Sequence, residues 1–220
     1  MSSINPYENS ENNLVEQPTI KLFKELGWKT HNAFNEFDSG ASFLERNERS
    51  EIVLVSRLRS SLVKLNPSIP KESINEAIKE FTRDKRALDS LKANEEIYKF
   101  LKDGMNIKVQ LDDRENYEKV FFIDWNNIEK NDFLLVSQFW ITGDYHTRRP
   151  DLIGFINGIP LLLIELKNPA ETAKSGFEDN ITDYKDTIPQ LFFYTAFIII
   201  SNGSESKIGS TFSGWEHYSE

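Results

Sequence analysis

The chain has no cysteine, which excludes a disulfide framework and any thiolate metal centre and suits a cytoplasmic protein. Long apolar runs are also missing. The longest, near Leu161–Ile164 and Ala196–Ile200, fall far short of the ~20 residues a bilayer-spanning helix needs, so no membrane association is expected. The polar start, Met1 to Glu11, does not resemble a signal peptide. Positive charge is scarce: 26 Lys and Arg face 35 Asp and Glu, a net charge of -9. Duplex binding is largely phosphate neutralisation, so this piece alone should bind nucleic acid weakly, with other domains or subunits supplying the grip. No Gly-x-x-x-x-Gly-Lys-Ser/Thr phosphate loop occurs, so any ATPase chemistry must come from outside these residues. His31, His146 and His217 have no motif partners, which argues against histidine nucleophile or base chemistry.

What is present suffices for a sizeable core: 220 residues, 39% of them hydrophobic. Residues 1–10 are polar and expected to be loose, and 11–220 read as a single domain. From Asn12 the pattern is helical, with Leu14, Ile20, Leu22, Phe23 and Leu26 able to share a face and Gly27 as the stop; Pro18 belongs in a first turn, which moves the expected start to about Glu16. Trp28 to Phe34 reads as a strand. Three helices follow, over Glu51–Leu65, Lys71–Phe81 and Asp89–Leu101, the last closed by Gly104; they make residues 43–104 a helical insertion. Their charged residues read as a solvated face. The period then changes to alternation, with strands at Ile107–Leu111, Val120–Ile123 and Phe133–Ile141, two runs either side of Asn157-Gly158, and Ala196–Ile200. A helix over Lys174–Thr187, a short turn of helix over Pro189–Tyr194 and a last hairpin bracketed by Gly203 and Gly209 complete an α/β (α+β) pattern with its core at 105–211. The chain stops at Gly214-Trp215-Glu216-His217-Tyr218-Ser219-Glu220 without a tail-like composition, as a fragment of a longer protein would.

The stretch from Arg149-Pro150-Asp151 through Asn157-Gly158-Ile159-Pro160 to Glu165-Leu166-Lys167 carries the chemistry. Glu-x-Lys alone is weak, since about one is expected by chance in a chain of this size. The chain holds its own control: Glu205-Ser206-Lys207 has the same spacing in a turn-rich segment, where nothing would desolvate it. Glu165 and Lys167 instead end a run that reads as a buried strand. Alternation puts both on one face, with the Leu166 carbonyl at the edge of the site. Two carboxylates and a carbonyl are hard oxygen ligands suited to Mg²⁺ or Mn²⁺, and Lys167 could stabilise phosphoryl charge or orient a water. A strand-end salt bridge is the plain alternative. The turn decides between them. A regular two-residue hairpin at Asn157-Gly158 would set Asp151 opposite Ile164 and away from Glu165. A shared metal requires an odd slip, expected from a three-residue loop over Ile156-Asn157-Gly158 or from a bulge near Pro150.

At these residues the chain resembles the PD-(D/E)XK nuclease superfamily, and more closely the N-terminal nuclease domain of the R (HsdR) subunit of type I restriction enzymes. The likeness rests on Pro150-Asp151, on Asn157-Gly158-Ile159-Pro160 leading into Ile164-Glu165-Leu166-Lys167-Asn168-Pro169, on Ile188-Pro189-Gln190-Leu191-Phe192 and on Ile200-Ser201-Asn202-Gly203, with Val15-Glu16-Gln17-Pro18 and Leu26-Gly27-Trp28 upstream. It implies a restriction-endonuclease-like central mixed sheet flanked by helices and Mg²⁺-dependent cleavage of double-stranded DNA. Asp151 and Glu165 would be ligands, Lys167 the catalytic lysine, and Glu16 a further candidate ligand. It also implies methylation and specificity subunits as partners, and ATP used only through domains outside these residues. The family's Gln-x-x-x-Tyr motif falls by position on Asn180-Ile-Thr-Asp-Tyr184, with a shorter Asn for Gln; the literal match Gln190–Tyr194 comes too late and reads as packing or capping. His146, Arg148 and Arg149 are candidate contacts to a phosphate backbone. A non-catalytic DNA-binding or docking module, or a repair or junction nuclease, are the alternatives on the same fold.

Overall fold

A computed structural model describes residues 12–111 and 114–220, so the segment expected to be loose, 1–10, lies outside the described residues. A π-helical turn, Asn12–Glu16, leads into α1 (Gln17–Glu25). Next come β1 (Lys29–Asn32), α2 (Val55–Leu65), α3 (Lys71–Phe81), α4 (Ser90–Asp103), and the hairpin β2 (Met105–Leu111) and β3 (Arg114–Val120). The second half holds β4 (Phe133–Ser137), β5 (Ile141–Thr142), β6 (Thr147–Arg148), β7 (Leu152–Ile156) and β8 (Ile159–Leu166). A helical stretch built from α5 (Ala173–Ser175), a π-helical segment (Gly176–Ile181) and α6 (Thr182–Thr187) precedes β9 (Phe197–Ser201) and β10 (Ser206–Ser210). Six strands form one sheet in the order β1-β4-β7-β8-β9-β10; β1/β4 and β8/β9 are parallel and the other pairs antiparallel. This is the expected mixed sheet flanked by helices, consistent with a restriction-endonuclease-like fold.

Alternation along the central strands divides the apolar residues between two layers. Leu134, Val136, Ile153, Phe155, Leu163, Ile198 and Ile200 pack under Ala173, Ile181, Tyr184, Ile188 and Leu191. Leu135, Leu152, Ile164 and Leu166 face the other way and meet Val15, with Ile20, Phe23 and Trp28 against them. A third cluster joins α2, α3 and α4 to the β2–β3 hairpin through Leu58, Leu62, Ile74, Phe81, Ile97, Val109 and Val120. Among the described residues no helix is long and apolar enough to cross a membrane.

Several expectations need correction. Of the apolar stripe expected on the first helix only Ile20 and Phe23 turn inward, joined by Val15; Leu14, Leu22 and Leu26 are exposed. The strand after Gly27 is shorter than Trp28 to Phe34, and α2 begins four residues later than Glu51, because the Leu54 N–H is taken by the Gly158 carbonyl (2.9 Å). Val120–Ile123 is not a strand beyond Val120. Asn66 accepts from the Phe121 N–H and donates to its carbonyl (2.8 and 2.9 Å), and Asn157 donates to the Phe122 carbonyl (2.9 Å), so side chains satisfy groups that a ladder would have used. β4 ends at Ser137, where Gln138 turns left-handed (φ 58°).

Candidate active site

The slip needed to bring the two carboxylates together is present, in neither of the places expected. Asn157 and Gly158 form a two-residue turn with φ of 54° and 83°, and Ile156 pairs with Ile159 as in a regular hairpin. The three-residue loop is therefore wrong, and so is the bulge near Pro150. The register shifts further up β8: Phe155 pairs with Pro160, but Gly154 pairs with Leu162, which makes Leu161 the extra residue. Beyond the bulge Leu152 lies opposite Ile164, so Asp151 comes level with Glu165. The bulge thus turns Glu165 and Lys167 onto the face of Asp151, under the α5–α6 layer. The turn is held from both sides. Asn157, fully buried, accepts from the Asp132 N–H and donates to Asn131, while a Cβ on Gly158 would come 2.5 Å from the Leu54 carbonyl oxygen.

Asp151 and Glu165 differ in setting. The Leu166 N–H donates to Asp151 Oδ2 (2.8 Å), yet burial outweighs it and pushes the Asp151 carboxyl up to about 6; the nearby Glu16 charge acts in the same direction, and Lys167 and Arg149 oppose it. An amide and carbonyl of one strand residue point the same way, so this bond also aims the Leu166 carbonyl toward Asp151. Glu165 is 2% exposed, with the Tyr184 hydroxyl at 3.5 Å from its Oε1. Tyr184 is itself held protonated well above its ordinary range, by burial first and by the Glu165 charge next.

Lys167 donates from Nζ to Asn180 Oδ1 (2.6 Å), and the Tyr184 hydroxyl also bonds Asn180. The shorter amide therefore reaches. Asn180 lies within the π-helical segment, a distortion frequent at functional sites, and Gly176 starts that segment with no Cβ to strike Ile200 (2.8 Å) or the Lys167 stem (3.3 Å). Asn180 and Tyr184 thus hold the lysine and the glutamate from one helix. The literal motif match does other work: Gln190 bonds the Thr142 carbonyl (3.0 Å) and Tyr194 the Phe81 carbonyl (3.4 Å).

Glu16 is buried, and its Oε2 accepts from Gln138 Nε2 (2.9 Å). Gln138 is the residue that sequence reasoning missed. Its backbone N–H holds the Asp151 carbonyl (2.8 Å) while its side chain holds Glu16, a double grip that depends on its left-handed backbone. Only the polar break in the apolar run Phe133–Ile141 could have signalled it. The candidates preceding Asp151 do not act together. Arg148 is clamped by Asp183 (2.5 and 2.9 Å), His146 is exposed on the β5–β6 turn, and Arg149 lies over the Phe34 and Trp140 rings, 4.9 Å from each centroid. The control spacing is not in a turn as expected: Lys207 lies in edge strand β10, its side chain 19% exposed, and is oriented by Glu220 (3.0 Å) and Glu205 (3.7 Å), so what separates it from Lys167 is that its carboxylates are exposed.

Among the described residues no group of three or more His, Cys, Asp and Glu is placed to hold a metal ion. The donors that fit one are Asp151, Glu165 and the Leu166 carbonyl, all oxygen, which leaves positions for water and phosphate oxygens as Mg²⁺ prefers.

A family model described as the type I restriction enzyme R protein N terminus matches residues 8–217. The type I restriction enzyme HindI endonuclease subunit of Haemophilus influenzae is 30% identical over 209 residues, covering 94% of this chain and 20% of that protein. The putative type I restriction enzyme MjaIXP endonuclease subunit of Methanocaldococcus jannaschii is 34% identical over 218 residues, covering 95% of this chain and 20% of its own length. The EcoprrI endonuclease subunit of Escherichia coli is 29% identical over 93 residues, 41% of this chain. The chain thus spans about a fifth of the first two relatives. With nearly its whole length matched, and the Asp151, Glu165 and Lys167 side chains on one face, the chain belongs to the family of type I restriction enzyme R protein N-terminal domains.

Proposed function

We propose that this domain is the nuclease unit of a type I restriction enzyme, a PD-(D/E)XK site that hydrolyses phosphodiester bonds of double-stranded DNA with Mg²⁺, or Mn²⁺ in its place. The observation that carries the reading is the bulge at Leu161, because a purely structural hairpin has no need of a slip that sets Asp151 level with Glu165. Bound between Asp151, Glu165 and the Leu166 carbonyl, the cation would polarise a phosphate and lower the pKa of a water. The chain's own residues do the rest. Leu166 fixes the rotamer of Asp151 through its N–H, and Tyr184, kept protonated, holds the Glu165 carboxylate. Lys167, steadied by Asn180, directs its ammonium to the phosphoryl oxygens or to the attacking water. Glu16, gripped by Gln138, is positioned to hold a water at the edge of the site.

Sequence choice would belong to a specificity subunit acting with a methylation subunit, and ATP would be used by other parts of a longer chain, in the cytoplasm. The test is Mg²⁺-dependent nicking of supercoiled DNA by the full assembly. Asp151→Ala and Lys167→Ala are each expected to reduce cutting by ~10²–10³-fold, the range seen when groups that stabilise a transition state are removed. Both variants cutting like wild type would sink the assignment.

A further inference from the structure

We propose that Arg149 and Arg49, stacked on Trp140, form a rail for the DNA backbone beside Asp151, taking the phosphates next to the one that is cut. The inference rests on the nuclease reading and adds the surface that would hold the strand. In a chain with 35 acidic residues nearly every guanidinium among the described residues finds an oxygen partner: Arg46 has Glu36, Arg57 has Asp132, Arg59 has Asn75, Arg83 has Glu80 and Glu96, Arg86 has Asp84 and Asp144, and Arg148 has Asp183. Among the described residues Arg49 and Arg149, like Arg59, have no carboxylate at ion-pair distance, and no side-chain oxygen takes them as Asn75 takes Arg59. Both lie on the same indole, Arg149 at 4.9 Å and Arg49 at 5.2 Å from the Trp140 ring. Phe34 and Phe37 extend the stack, over which Arg149 and Arg49 lie at 4.9 and 5.6 Å.

A guanidinium held over aromatic rings spends no N–H on a protein acceptor and so keeps its donors for phosphate. Trp140 is pinned by its own Nε1–H to the Phe34 carbonyl (3.0 Å), so the platform is fixed before any ligand arrives. Position points to DNA rather than to a remote partner. Arg149 stands two residues before Asp151, in the link between β6 and β7, and its charge is felt at the Asp151 carboxyl. Phe34, Phe37 and Arg49 come from residues 33–54, a connection without helix or strand, and long irregular connections in compact domains are commonly functional. Two uncompensated charges at this place offset locally the net charge of -9 that would otherwise repel the strand.

The test uses the full-length protein in its assembly. Nicking of supercoiled DNA is followed against DNA and NaCl concentration for wild type, Arg149→Ala, Arg149→Lys, Arg49→Ala and Asp151→Asn. Each alanine variant is expected to raise the half-saturating DNA concentration on the order of tenfold, more than it lowers the maximal rate, and to reduce the slope against log salt by about 1. Arg149→Lys should restore the slope, since it keeps the charge, while regaining only part of the affinity, since it loses the planar stack. Arg49→Ala reads the proposal at an independent site on a separate loop should Arg149→Ala unfold. If Asp151→Asn is inactive while both alanine variants keep wild-type DNA and salt dependence, the rail is wrong and the nuclease reading stands; if Asp151→Asn cuts like wild type, both fall.

Discussion

Burial pushes the Asp151 carboxyl up to about 6 although the Leu166 N–H bonds it, so the folded chain favours the protonated acid. The stability tied to that proton is fully present below 3.8, the ordinary value, and is lost as the pH rises through about 6. Without metal, Asp151→Asn should therefore be more stable than wild type by ~2 kcal/mol near neutral pH, with the difference vanishing below about pH 4. Denaturant unfolding at the two pH values measures this. Adding Mg²⁺ should raise the Tm of wild type at neutral pH and leave Asp151→Asn unmoved. Gln138 carries a second trade between stability and function. Its left-handed backbone costs about 1 kcal/mol in a non-glycine residue, while its amide holds Glu16. Gln138→Gly is expected to keep stability within ~1 kcal/mol of wild type and to slow DNA cleavage about tenfold, read by thermal melts beside nicking rates.

At the scale of elements, the β7–β8 hairpin sets the chemistry by one residue. Deleting Leu161 would restore regular pairing and send Glu165 and Lys167 to the opposite layer, where Ile164 and Leu166 now pack. Cleavage should be abolished and the melting temperature should fall, because buried Leu163 and Ile164 would exchange layers as well. The turn that starts this hairpin is equally constrained. Gly158→Ala meets both a φ of +83° and a Cβ 2.5 Å from the Leu54 carbonyl oxygen, and should cost ~2–4 kcal/mol in chemical denaturation.

Across the whole molecule, Arg46 ties the irregular 33–54 connection to the sheet. It pairs with Glu36 in a fully buried site, donates to the Trp140 and Glu51 carbonyls, and lies 3.8 Å over the Phe139 ring. Removing Glu36 alone would leave an uncompensated buried guanidinium, so Glu36→Ala should destabilise by about 3–5 kcal/mol and loosen Phe34 and Arg49 together. Proteolysis within residues 33–54, faster than in wild type, would report the loosening.

Much of this architecture is legible in local sequence. Lys71–Phe81 forms a helix where its three- and four-residue spacing predicts one, and Asp89 caps α4 by accepting from the Leu91 N–H (3.0 Å). Periodicity and turn chemistry act over a few residues, and so the identity and order of elements, and the Asp-to-Glu-x-Lys spacing, are determined by the sequence itself. What joins residues far apart was decided by tertiary structure. The bulge sits at Leu161, whose side chain joins the cluster of α2, α3, α4 and the β2–β3 hairpin, while Leu162 turns to the layer of Val15 and Trp28. The 120–123 run forgoes a strand because Asn66 and Asn157 reach its backbone, Gln138 accepts a left-handed backbone to hold Asp151 and Glu16, and two arginines share one indole. Each of these depends on a partner brought near only once the sheet and its layers have packed, and no local pattern encodes that distance.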